Sequence, residues 1–159
     1  MKLSDQSKLN TITLSGVIAG SYVVLTYMTS VLGLSSGVIQ LRISEALCAL
    51  ALFNPAGIYG TTIGCFISNI ISGGILIDVI FGTLATFTGT FLCYYLRKKP
   101  YLGLFMPVLS NTLIIPFVLA YAYGSEESLG FIFLTIFIGE GISVYLLGLL
   151  LRRQLLKFQ

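Results

Sequence analysis

The sequence has no histidine and no tryptophan, and only 9% of its 159 residues are charged. A soluble domain carries roughly a quarter charged residues, so little of this chain is built to face water. Without histidine there is no Ser–His pair and no HExxH helix, and no GxxxxGK[ST] phosphate loop is present either. Catalysis is therefore not expected, and any ATP that powers uphill movement must be handled by another chain. The three cysteines, Cys48, Cys65 and Cys93, stand alone in apolar stretches. A zinc site needs clustered His and Cys, so no metal site is expected, and these thiols read as inert packing residues.

What is present is apolar. Hydrophobic residues make up 56% of the chain, and the mean hydropathy is +0.96. A bilayer-spanning helix needs about 20 apolar residues. Six such helices with short loops would use nearly the whole chain, so we expect an all-α integral membrane protein. It would be a six-transmembrane-helix bundle and a single transmembrane domain over residues 1–159. Met1 to Asn10 is polar. The apolar stretch after it is too long, and lacks the cleavage signature, for a signal peptide, so it reads as a retained first helix.

The expected segments are 11–32, 40–53, 55–71, 75–96, 101–123 and 128–151. The second is short, reaching only about 20 Å as an α-helix. It is expected to start inside the membrane beneath a re-entrant loop of Gly33, Leu34, Ser35, Ser36 and Gly37. Asn54-Pro55 has the form of an N-cap followed by proline at the first helical position. Ser72, Gly73 and Gly74 form a tight turn, and Pro107 and Pro116 are expected to bend segment five.

Charge sets the expected orientation, because Lys and Arg gather in cytoplasmic loops. Six crossings place Lys2 and Lys8, the Arg97-Lys98-Lys99 loop, and Arg152, Arg153 and Lys157 on one side, with Glu126 and Glu127 on the other. Both termini are then cytoplasmic. A five-helix count would break this agreement.

Small residues recur at helical spacing. Gly60, Gly64 and Ser68, and Gly82, Thr86 and Thr90, suit packing inside the bundle. Gly16 and Gly20 form GxxxG, offset by one from Ser15 and Ala19, and suit either internal packing or docking to another membrane subunit. The aromatic residues are nine Tyr and eleven Phe. Tyr94, Tyr95, Tyr101, Tyr121 and Tyr123 read as interface anchors, while Tyr22, Tyr27 or a segment-six Phe could stack on a flat heterocycle.

Charges inside membrane segments are costly and mark function. Here they are Arg42, Glu45, Asp78 and Glu140, joined by the amides Gln40, Asn69 and Asn111. Gln40, Arg42 and Glu45 begin segment two from the outer side, Asn69 ends segment three, and Asp78 is one turn into segment four. Asn111 lies about 15 Å in from the inner start of segment five, and Glu140 about 18 Å in from the outer start of segment six. The polar groups thus occupy the outer half and the middle of the bundle, the profile of a cavity open outward and sealed below. Arg42 and Glu45, three apart, could simply pair. Asp78 could cap its helix, and Glu140 could be a protonated acid bonded to a neighbour. Otherwise the excess of carboxylates favours a cationic, donor-rich small molecule.

The order of these residues resembles the QueT family. The resemblance rests on Gln40-Leu41-Arg42-Ile43-Ser44-Glu45-Ala46-Leu47, on Gly64-Cys65 with Asn69, and on Asp78 with Gly82-Thr83-Leu84-Ala85-Thr86. Asn111 and Gly139-Glu140 complete it. One departure is Leu41, where an aromatic residue is expected more often. The resemblance implies the fold and role of a substrate-binding S component of an energy-coupling factor (ECF) transporter in the bacterial plasma membrane. It implies a transmembrane scaffold subunit and two ATPase subunits as partners, no cofactor bound by this chain, and no nucleic acid. The implied cargo is a queuosine precursor: an aminomethyl-deazaguanine or related deazapurine, or queuine. Gln40, Arg42, Glu45, Asn69, Asp78, Asn111 and Glu140 are the expected substrate-binding residues. Ser15, Gly16, Ala19 and Gly20 are the expected docking surface for the scaffold. The alternatives are an S component for another vitamin-like compound, or a stand-alone proton-coupled transporter using Glu140.

Overall fold

A computed structural model describes residues 3–33 and 41–157; Gln40 and the expected re-entrant residues Leu34 to Gly37 lie outside the described residues. Among the described residues every regular element is helical. The elements are α1 (Leu3–Val31), α2 (Ile43–Leu52, a 3-10 helix), α3 (Ala56–Ile71) and α4 (Leu76–Tyr95). They are followed by α5 (Pro100–Phe117, continued by a π-helical turn over Val118–Ala122). Last comes α6, made of Leu129–Glu140, a π-helical turn over Gly141–Leu146, and Leu147–Leu155. Four stretches are long and apolar enough to cross a membrane: Gln6–Val31, Leu76–Tyr95, Pro100–Ala122 and Leu129–Leu155. Ile43–Leu52 and Ala56–Ile71 are shorter apolar helices.

Three features differ from the sequence reading. α1 begins at Leu3 rather than near Thr11, because no Pro or Gly precedes Gly16 to break a helix that polar residues tolerate well. α2 begins at Ile43 rather than Gln40 and is wound as 3-10. At about 2.0 Å per residue its ten residues still reach about as far as the longer α-helix expected. α5 runs helical through Pro107 and Pro116, and the widened turn appears just after the second, at Val118. A proline there has no N–H to donate, so the ladder is already short of a bond where it loosens.

The turns follow their chemistry. Asn54 Oδ1 accepts from the Ala56 N–H at 2.8 Å, capping α3. Gly73 sits at φ +74°, a region open to glycine at no steric cost, and the Gly74 N–H closes the turn on the Asn69 carbonyl at 2.9 Å.

α2 is the axis of the assembly: it contacts α1, α3, α4, α5 and α6. Its Ser44, Glu45, Cys48, Ala49 and Ala51 are fully buried. Around it, α1 packs on α3, α3 on α4, α4 on α5, and α5 on α6. Small residues make these contacts close. A Cβ added to Gly60 would lie 2.6 Å from Ile18 Cβ, and one added to Gly64 would lie 2.6 Å from Tyr22 Cβ. Between α4 and α5 the tightest point is Gly89, whose added Cβ would fall 2.5 Å from Pro107 Cα.

Candidate binding site

A cavity of about 490 Å³ opens at the end of the bundle formed by the Ser72–Gly74 turn and the loop after α5. This is the size range of small-molecule sites. The basic residues Arg97, Lys98 and Lys99 lie in the connection from α4 to α5, and Arg152 and Arg153 in the last turn of α6. Both are at the opposite end of their helices from the cavity.

Arg42, Asn69 and Asp78 line the cavity, with Thr26 and Ser30 of α1 and Tyr123 and Ser125 of the loop after α5. Asn69 is held at the end of α3 by Gly82 of α4, where an added Cβ would fall 2.9 Å from its Nδ2. Asp78 Oδ2 accepts a 2.9 Å hydrogen bond from the Tyr123 hydroxyl, which itself accepts from the Ile75 N–H at 3.3 Å. Tyr123 lies just beyond the Pro100–Ala122 stretch. Partial burial, then the hydrogen bond to Asp78, push its phenol above the ordinary value, so it stays a donor to the carboxylate. Tyr123 therefore belongs to the site rather than only to a membrane interface. Its partner is 45 residues away, and nothing in the sequence pairs them.

Glu140 lies lower. It is 6% exposed and borders a small void shared with Arg42, Ile115 and Ile136. Asn111, on α5, is 1% exposed and neighbours Glu140. Neither its Nδ2 nor its Oδ1 completes a hydrogen bond with a partner among the described residues, and neither does Glu140 Oε2. Arg42, half-buried, borders both the cavity and the void. Among the described residues it forms no ion pair with Glu45, Asp78 or Glu140.

Glu45 is placed differently. It is fully buried below the cavity, and its carboxylate is already engaged. Oε1 accepts from the Tyr22 hydroxyl and, at 3.3 Å, from Thr86; Oε2 faces the Cys48 thiol at 3.2 Å. Thr86 also lies 3.3 Å from Cys65 Sγ. This network ties α1, α2, α3 and α4 together. It uses Tyr22, which is 1% exposed and so has no face free for a heterocycle.

The small-residue positions of α1 divide by face. Ser15 and Ala19 are buried against α3, and the Ser15 hydroxyl reaches the Ala56 carbonyl at 3.4 Å. Gly16 and Gly20 face outward, with nothing within 4 Å of an added Cβ. Beside them an open groove of about 710 Å³ runs between α1 and α3, past Thr11, Ile12, Gly16, Tyr59 and Ile63.

What the site can do chemically is bind a compact, charged molecule. One guanidinium, Arg42, stands with two carboxylates, Asp78 and Glu140, with amides and hydroxyls for orientation and no cluster of metal-binding side chains among the described residues. Comparison with known proteins agrees with a carrier. Over 81 residues the chain is 42% identical to a protein of Lactococcus lactis subsp. cremoris described as "Queuosine precursor transporter QueT". The match covers 51% of this chain and 47% of that protein, so it spans about half the length of the relative. No solved structure matches the chain. The family model described as "QueT transporter" matches residues 12–157. With that match across nearly its whole length, and with helices long and apolar enough to cross a bilayer, the chain belongs to the QueT transporter family, multi-pass proteins of the bacterial cell membrane.

Proposed function

We propose that the chain is the membrane-embedded substrate-binding subunit of an ECF-type importer. It captures a queuosine precursor, an aminomethyl-deazaguanine or a close deazapurine relative, from outside the cell. A scaffold subunit and two ATPase subunits, which hydrolyse the ATP, deliver it inward. The observation that carries this reading is the polar cavity at the end opposite the basic clusters, with Asp78, Arg42 and Asn69 converging on it. Lys and Arg gather on the cytoplasmic side, so that end faces outward, both termini face inward, and six helices cross the membrane.

The cargo fits the donors and acceptors. A deazaguanine offers paired N–H donors along one edge, which a carboxylate accepts, and a ring carbonyl, which Arg42 or Asn69 can meet. Its aminomethyl arm is a cation, matching a site where acids outnumber the guanidinium. The description of the Lactococcus relative as a queuosine precursor transporter supports the same cargo. The outward Gly16 and Gly20, beside the open α1–α3 groove, give a scaffold helix room for close approach.

The test is to purify the full chain, identify co-purified small molecules by mass spectrometry, and measure binding of a panel of deazaguanine bases and vitamins. Retention and tight binding of a deazaguanine are expected. Tight binding of an unrelated vitamin with none for the deazaguanines refutes the cargo. Uptake into vesicles without ATPase subunits refutes the S-component role.

A further inference from the structure

Below the cavity lie buried polar groups that no described residue satisfies. Asn111 and Ser143 are each 1% exposed and Glu140 6%. Among the described residues, both polar atoms of Asn111, Oε2 of Glu140 and the Ser143 hydroxyl find no hydrogen-bond partner. Buried polar atoms are paired in the great majority of cases, and an orphan costs free energy. An unpartnered amide, Asn111, beside the Glu140 carboxylate calls for a polar group that enters.

The walls above them are apolar. On α5, Ile115 lies one helical turn outward of Asn111. On α6, which runs the other way, Ile136 lies one turn outward of Glu140. Ile115 and Ile136 pack in one buried cluster with Ala85 and Ile132. Ile115 and Ile136 also border the small void that Glu140 borders. Ile115 and Arg42 each border both the outer cavity and the inner void, so these two side chains are the partition between them. The void itself holds only about 10 Å³, about the space of one water. The α6 helix widens into its π-helical turn immediately after Glu140, over Gly141–Leu146. Such turns recur at functional sites, and here one interrupts the α-helical ladder directly below the carboxylate.

We propose that Glu140 and Asn111 form an inner, occluded subsite for the cationic, donor-bearing part of the ligand, closed off from the outer cavity by a gate of Arg42, Ile115 and Ile136. The inference rests on the proposed role in capturing a cationic base, and names where that ligand finally sits. The ligand first meets Asp78 and Asn69 in the outer cavity. Its ammonium then replaces Arg42 as the positive neighbour of Glu140. Asn111, with one donor and one acceptor free, pairs with an adjacent acceptor–donor edge. Arg42, released from the void, closes over the ligand from the side of Asp78.

Two measurements test this on the full chain in lipid nanodiscs. The first is independent of the cargo. An Asn111→Cys variant is exposed to small methanethiosulfonate reagents, one cationic and one anionic, and the modified position is identified by peptide mass mapping. The native Cys48, Cys65 and Cys93 are 0% exposed and serve as internal controls. The cationic reagent should react at least about tenfold faster, the weight of one charge-assisted interaction. Adding Ile136→Ala should speed both reagents, and adding Glu140→Gln should erase the preference. No reaction even with Ile136→Ala, or equal rates for the two reagents, overturns the inner subsite and leaves a void that houses one water only. The second follows dissociation of an aminomethyl-deazaguanine. Glu140→Gln should raise the off-rate at least about tenfold, whereas Asp78→Asn should act mainly on the on-rate. Unchanged off-rates for Glu140→Gln and Asn111→Ala overturn the inference while the capture role stands. If the wild-type chain binds no deazaguanine, the capture role falls and the labelling result still decides the gate.

Discussion

The buried Tyr22–Glu45 contact gives the sharpest separation between a side chain that binds cargo and one that holds the fold. Tyr22 and Glu45 are 1% and 0% exposed. In a Tyr22→Phe variant the carboxylate keeps only the 3.3 Å contact from Thr86 and the weak 3.2 Å thiol donor of Cys48. Hydrogen bonds to charged groups are worth about 1.5–3 kcal/mol, and water cannot enter to replace this one. We therefore expect a loss of about 1.5–3 kcal/mol. For a chain of this length that is a fall in Tm of about 3–12 °C, at about 2–4 °C per kcal/mol. The assay is thermal unfolding in detergent, followed by far-ultraviolet circular dichroism, beside equilibrium binding of the cargo to the folded protein. Glu45→Gln, which keeps an acceptor but loses its charge, should also be destabilised, and the two substitutions combined should cost less than the sum of each alone, because both act on the same bond. Ligand affinity should change little beyond what the lower stability explains. A Tyr22→Phe variant with wild-type Tm but lost binding would refute this reasoning and return Glu45 to the ligand.

Three further outcomes follow from the geometry. Gly89→Ala places a methyl 2.5 Å from Pro107 Cα, so α4 and α5 must part, at a cost of about 1–3 kcal/mol; thermal unfolding should show a clear fall in Tm. At Gly16 and Gly20 an added Cβ has no other described atom within 4 Å, so for Gly16→Leu and Gly20→Leu Tm and ligand affinity should match wild type while uptake by the reconstituted transporter falls; loss of the fold would contradict the outward placement. Asp78→Asn should weaken cargo binding at least about tenfold, and Tyr123→Phe, which removes one hydrogen bond from Asp78, by the smaller factor expected of about 0.5–1.5 kcal/mol; isothermal titration distinguishes them.

Much of the architecture was legible along the chain. A run of about 20 apolar residues has one stable form in a bilayer, because a helix satisfies its own backbone. Local turn chemistry was equally plain: Asn54 caps α3, and Gly73 takes the left-handed φ that the Ser72–Gly74 turn needs. The concentration of Arg97, Lys98, Lys99, Arg152 and Arg153 away from the polar intramembrane residues also marked one end of the bundle as distinct.

What the linear order could not supply was the azimuth of each helix. In a water-soluble helix the polar face shows which side looks outward. Here lipid and protein interior are both apolar, so Leu and Ile suit either side, and only small or charged residues carry information. Ser15 and Ala19 therefore looked interchangeable with Gly16 and Gly20, yet the first pair is buried against α3 and the second faces outward. In the same way the sequence did not assign Glu45, Asp78 and Glu140 to particular edges of a ligand. Sequence alone determined that this chain lives in a membrane and carries intramembrane charge that must be answered. Only the tertiary structure decided that Glu45 is answered by Tyr22, that Asp78 faces the open cavity with Tyr123, and that Glu140 waits beneath Ile136. Those partners come from other helices, and the rotation that brings them together is set by packing around α2 rather than by any local pattern.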